Sequence, residues 1–254
     1  MNKTRLSVLI VACLVSPLTL AKKPIKTNQL FQLSTINALK IGAYQGAWSY
    51  GQLRGHGDFG LGTFADLDGE MLAFNGQFYQ INANGQVRRV SNKQTAPFTM
   101  LTFFKPRQHL KIKQTLSCKD LYTRLDSLRR SANIAQAIKI TGQFLSLKTR
   151  SVHAQHLPYP PLSRAVAEQA AFEFTQLQAT LVGFWLPPYL EGINSAGYHF
   201  HGLRADKKAG GHVLDCQVAD VKIAIAPLRG FELALPDYFE QLNLNQPSDA
   251  LQHP

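Results

Sequence analysis

The chain has 254 residues, of which 45% are hydrophobic and 17% charged, enough apolar content to bury a full core and to exclude general disorder. Lysine and arginine outnumber aspartate and glutamate by 27 to 16, for a net charge of +11. The basic residues are scattered in runs no longer than two, without a groove-reading helix or an aromatic RNA-binding motif, so no nucleic-acid partner is expected.

In chain order, Lys3 and Arg5 precede an uncharged apolar run over residues 6–20, and Thr19-Leu20-Ala21 offers small residues to a signal peptidase. Residues 1–21 are expected to be a signal peptide, with the mature chain starting near Lys22 and exported to the periplasm or medium. The run is shorter than the roughly 20 apolar residues of a membrane span, so no stable membrane insertion is expected. Ile10-Val11-Ala12-Cys13 offers a second reading as a lipoprotein signal, disfavoured because the apolar run continues past Cys13. Cleavage leaves Cys118 and Cys216, which suit either one disulfide or two buried thiols.

After a polar leading segment, residues 22–28, Ser34 is placed to cap a short helix carrying Ile36, Leu39 and Ala43. The glycine-rich passage over residues 55–64 and the following Leu67-Asp68-Gly69-Glu70 let the backbone approach another surface closely. They lack phosphate-loop and dinucleotide spacing, which excludes nucleotide binding on sequence grounds. Residues 71–74 and 77–81 flank Asn75-Gly76, a hairpin signal, and Asn84-Gly85 leads into residues 87–90. Residues 99–104 read as another strand, and Ser117 opens a helix to about residue 130 with Leu121, Leu125 and Leu128 on one face. Alternation follows over residues 137–152 around a Gly142 break. Leu157-Pro158-Tyr159-Pro160-Pro161 then suggests a boundary between an N-terminal part, 22–157, and a C-terminal part, 158–254. Strands are expected at 171–175, 180–186, 197–203, 212–225 and 231–235, with fraying from Pro247.

Within the C-terminal part, Tyr198-His199-Phe200-His201 would place two imidazoles on one strand face, about 6 to 7 Å apart. A polar loop ending in Gly210-Gly211 can return the chain so that His212 joins them from a neighbouring strand, and Cys216 would share the face of His212. Three imidazoles with an open position suit catalytic zinc, although a paired H-x-H alone is as often a solvated or satisfied core pair.

Several strings occur in order along nearly all of the mature chain: His56-Gly-Asp-Phe-Gly-Leu-Gly-Thr-Phe with Leu67-Asp-Gly-Glu, Lys148-Thr-Arg-Ser, Pro158-Tyr-Pro-Pro-Leu, Leu181-Val-Gly-Phe-Trp, Glu191-Gly-Ile-Asn, Gly197-Tyr-His-Phe-His and Gly210-Gly-His-Val-Leu-Asp. Together they resemble the α-acetolactate decarboxylase family. The resemblance implies a zinc-dependent lyase that converts 2-acetolactate to acetoin and carbon dioxide. It places the zinc ligands at His199, His201 and His212 and active-site groups at Glu70 and Arg150, with Thr63 close by. It also implies an α/β fold of α+β type, with a mixed sheet in the N-terminal part and an antiparallel, barrel-like sheet carrying the histidines, and a homodimer. One departure stands out, because the family has a further glutamate near its C-terminal end and the tail from Gln246 has none.

The residue types suit that chemistry. Loss of carbon dioxide from a β-keto acid leaves an electron pair, here as an enediolate, which a Lewis acid stabilises. Arg150 can hold the carboxylate, and Glu70 can protonate one face and so set the configuration of the product. Two other readings stay open at this point: a three-histidine zinc hydrolase, which lacks an H-E-x-x-H helix, and an exported non-catalytic module that binds a metal or a small acid.

Overall fold

The structure, a computed structural model, describes residues 28–244. The expected signal peptide, most of the polar leading segment and the tail beyond residue 244 lie outside the described residues. Among the described residues no helix is long and apolar enough to cross a membrane.

The chain begins with strand β1 (Gln29–Leu33) and helix α1 (Ile36–Lys40). Ser34, the expected cap, instead has φ +66, and its N–H donates to the Ala234 carbonyl at 2.8 Å. That bond holds Ser34 to a neighbouring strand, so Thr35 takes the cap: its Oγ1 accepts from the Ala38 N–H at 3.2 Å. Ala43 lies beyond the helix end. Next come β2 (Trp48–Ser49) and α2 (Tyr50–Leu53).

The close approach expected of the glycine-rich passage takes the form of strand β3 (Phe59–Thr63), where a Cβ on Gly60 would lie 2.0 Å from the Met100 carbonyl oxygen. β4 (Glu70–Phe74) and β5 (Gln77–Ile81) form the expected hairpin. Its turn residues, Asn75 and Gly76, have φ +51 and +71, as a tight turn matching the strand twist requires. β6 (Val87–Arg89), β7 (Thr95–Ala96) and β8 (Thr99–Thr102) complete this part, β8 stopping two residues short of the expected end.

β9 (Gln108–Ile112) and β10 (Leu116–Ser117) precede helix α3 (Cys118–Leu128), which Ser117 caps as expected, its hydroxyl accepting from the Asp120 N–H at 3.1 Å. β11 (Ala135–Ser151) continues through Gly142, where φ is +150 and the backbone passes so close to Asp220 that a Cβ would meet its carbonyl oxygen at 2.1 Å. After α4 (Leu162–Ala167), the strands expected at 171–175 and 180–186 are one strand, β12 (Ala170–Leu186), irregular only around Gln176 at φ +50. β13 (Gly197–Arg204), β14 (Gly210–Leu228) and β15 (Gly230–Ala234) follow.

The fold is mixed α+β and rich in strands. One sheet has the order β15-β1-β8-β3-β4-β5-β6 and is mixed because β15 runs parallel to β1. The second is antiparallel, ordered β10-β14-β11-β12-β13 with β9 also pairing β14, and β13 pairs back onto β14, curling the sheet into a barrel-like closure. The interior of that closure holds Ile138, Ile140, Leu181, Phe200, Val218 and Ile223, with Leu121 and Leu125 of α3 packed onto them. A separate cluster, including Leu61, Leu72 and Met100 from the first sheet and Val182, Phe184 and Ala226 from the second, joins the two sheets face to face.

The sheets do not divide the chain at Pro158. β11, before the prolines, pairs along its length with β12, after them, while β15 returns to the first sheet. The prolines occupy the connection between β11 and β12 because proline cannot donate to a ladder. Of the two options for the cysteines, Cys118 and Cys216 form a disulfide, which ties α3 to β14.

Candidate metal centre

Strand geometry aims the three imidazoles. Along β13, Tyr198 and Phe200 turn to one face and His199 and His201 to the other, with His201 directly opposite His212 on β14. Thr149 pairs with Val213 and Lys148 with Asp215, so Leu214 has no partner and forms a bulge. The bulge resets the alternation: Val213 and Cys216 both face the barrel interior, and Cys216 does not share the face of His212 as strict alternation predicts. The Gly-Gly before His212 has a packing cause too. A Cβ on Gly211, at φ +140, would lie 2.3 Å from the Arg150 carbonyl oxygen.

His199 Nε2 lies 3.3 Å from His201 Nε2 and 3.0 Å from His212 Nδ1, and all three donor atoms fall within 4.8 Å of one another. Zinc–nitrogen bonds of about 2.0–2.1 Å arranged tetrahedrally separate their nitrogens by about 3.3 Å, so the donor set fits a zinc-sized cation. His201 is 1% exposed, and its Nδ1–H donates to the Met71 carbonyl at 2.7 Å. That bond leaves the Nε2 lone pair directed at the cluster. Burial pushes the His201 imidazole down to about 3, so it is neutral, as a ligand must be.

Glu70 opens β4, opposite Thr63 on β3, and reaches the cluster from the first sheet. One carboxyl oxygen lies 3.3 Å from the Arg150 guanidinium and the other 3.3 Å from His201 Nε2. Burial raises Glu70 to about 7, against the opposing charge of Arg150. Burial likewise lowers Arg150, which Glu70 opposes, and the guanidinium remains a cation. Arg150 stands opposite His212 in the β11–β14 ladder, so cation and imidazole are adjacent.

All six residues singled out from sequence therefore lie in one neighbourhood, with Thr63 in a supporting place. Its Oγ1 donates to the Gly69 carbonyl at 2.7 Å and closes the loop that delivers Glu70. That loop is shaped by Asp66, Leu67 and Gly69 at φ +60, +58 and +81. Sequence reasoning missed two parts. One is the Met71 carbonyl that orients His201, because a backbone acceptor leaves no trace in residue type. The other is the positive-φ pair Asp66-Leu67, for which the Leu67-Asp68-Gly69 string signals a turn but not its shape.

Residues 30–246 match the family described as Alpha-acetolactate decarboxylase. An alpha-acetolactate decarboxylase of Methanosarcina mazei is 40% identical over 222 residues, 87% of this chain and 77% of that protein. One from Brevibacillus brevis is 36% identical over 235 residues, 92% of this chain and 82% of that protein. The crystal structure of alpha-acetolactate decarboxylase from Bacillus subtilis strain 168 superposes with a TM-score of 0.84 at 37% identity, covering 86% of this chain and 94% of that one. The chain belongs to the alpha-acetolactate decarboxylase family of carboxy-lyases.

Proposed function

We propose that the chain converts 2-acetolactate to acetoin and carbon dioxide, with zinc held by His199 Nε2, His201 Nε2 and His212 Nδ1. The observation that carries this reading is the convergence of three imidazole nitrogens opposite the buried Glu70–Arg150 pair. A bound zinc ion supplies Lewis acidity toward the keto and hydroxyl oxygens of the substrate. Arg150 binds the substrate carboxylate through charge-assisted hydrogen bonds and orients the scissile carbon–carbon bond. When that bond breaks, its electron pair passes into the adjacent carbonyl to give the enediolate. Glu70, fixed by Arg150 on one side and the histidine cluster on the other, delivers a proton to one face of the carbon, giving a single configuration of acetoin. Thr63 keeps the Glu70 loop closed.

Purified, zinc-loaded protein should release acetoin from fresh acetolactate, and a strong chelator should abolish the release. A zinc-loaded, folded protein that makes no acetoin would sink the reading. Export belongs to the same proposal, supported by the Cys118–Cys216 disulfide, since such bonds persist in oxidising compartments. Mass spectrometry of the mature protein tests it, with Lys22 as the expected first residue. Sedimentation tests the homodimer that the family resemblance implies.

A further inference from the structure

The face of β13 opposite the histidines is occupied by α3. The Tyr122 ring stacks on Tyr198 at 4.6 Å between centroids and faces Phe200 at 5.9 Å. The Tyr198 hydroxyl donates to Asp126 Oδ1 at 2.7 Å and accepts from Arg129 Nη1 at 3.1 Å. Arg129 also pairs with Asp126 and lies 3.6 Å above the ring of Trp185, the cross-strand partner of Tyr198. At its other end α3 is bonded through Cys118 to Cys216 on β14, four residues beyond His212. One helix thus grips both strands that carry the imidazoles, β13 by a polar and aromatic cluster and β14 by a covalent bond.

We propose that α3 is a tether that positions the two histidine strands for metal binding, with Tyr198, Asp126, Arg129 and the Cys118–Cys216 disulfide as its positioning contacts, so that the redox state of the disulfide sets the rate of metal release. The reasoning is geometric. The β13–β14 pairing spans only three residue pairs, from His201–His212 to Leu203–Gly210, and His199 lies beyond its end. On its other edge His199 pairs with Phe184 of β12, so its position relative to His212 is set by that ladder together with the anchor from behind, where Tyr198, its immediate neighbour, is held by α3. α3 is in turn fixed relative to His212 by the disulfide. Reduction by a small dithiol moves two electrons and two protons to the disulfide: the Sγ–Sγ bond breaks, Cys118 and Cys216 become thiols, and the dithiol closes into its own disulfide.

This inference rests on the metal site proposed above, and its test reads metal release rather than turnover. Cobalt(II) is loaded as a spectroscopic probe, and its transfer to a chelator is followed in wild type, dithiol-treated wild type, Tyr198→Phe and the double variant Cys118→Ala/Cys216→Ala. Release about tenfold faster in the double variant and in reduced wild type, with a smaller acceleration in Tyr198→Phe and altered visible bands, is expected, as for other residues that orient ligands from behind. Wild-type release rates and bands in Tyr198→Phe and in reduced wild type, even with a lower unfolding midpoint, would overturn the tether and leave these contacts merely structural. Should the double variant not fold, those two samples decide. A folded wild type that takes up no cobalt overturns the metal reading and the tether together, whereas uptake with disulfide-independent release overturns the tether alone.

Discussion

The two walls of the site are built differently. The histidine wall lies on two long-paired strands, backed by α3 and a disulfide, and the irregularity nearest the imidazoles is the bulge at Leu214. On the other wall Glu70 opens β4 between Thr63 and Ile81, and the short loop leading into it takes its shape from two non-glycine residues at positive φ and from side-chain bonds of Thr63, Gln80 and Tyr159. Ligand geometry on the first wall follows from strand pairing together with the contacts of α3 behind it. Proton delivery from the second depends on a few local contacts, so small changes there should alter turnover without touching the metal.

Substitutions can separate the walls, and the largest effect is expected at the pivot of the first. His201→Ala removes a buried ligand already oriented by Met71 and should lower zinc affinity by well over about 100-fold, read by competition titration. Glu70→Gln should leave metal content intact and lower kcat by about 10²- to 10⁴-fold, the range of a lost general acid. Loss of metal along with the rate would merge the two walls. Gly69→Ala would force a Cβ within 2.3 Å of the Ile81 carbonyl oxygen at a φ of +81 and should cost about 1–3 kcal/mol in urea unfolding while lowering kcat. Thr63→Val keeps the shape and strands the buried Gly69 carbonyl, for a loss of about 1–3 kcal/mol and a smaller fall in kcat. Unchanged turnover in both loop variants would show that Glu70 is held by Arg150 rather than by its loop.

Much of the fold was legible where the cause is local. Asn75-Gly76 marked the β4–β5 hairpin because both residues accept positive φ, and Ser117 marked the start of α3 because its hydroxyl reaches the Asp120 N–H. Features with distant causes were not. β3 reads as a glycine-rich passage because what requires glycine at position 60 is the Met100 carbonyl, forty residues away. Ser34 loses the cap of α1 to Thr35 through a bond to Ala234, and the prolines at 158–161 mark a connection within one sheet.

By itself the sequence determined the two-residue period that puts His199 and His201 on one face, the Gly-Gly loop that lets His212 return on a neighbouring strand, and, through ordered strings, the family. Only the tertiary structure decided that His212 faces the cluster while Cys216 turns inward to α3, and that Glu70 and Arg150, eighty residues apart, meet at 3.3 Å. The reason is physical: alternation and turn preference act over a few residues, whereas strand register and bulges are set by the pairing of whole sheets.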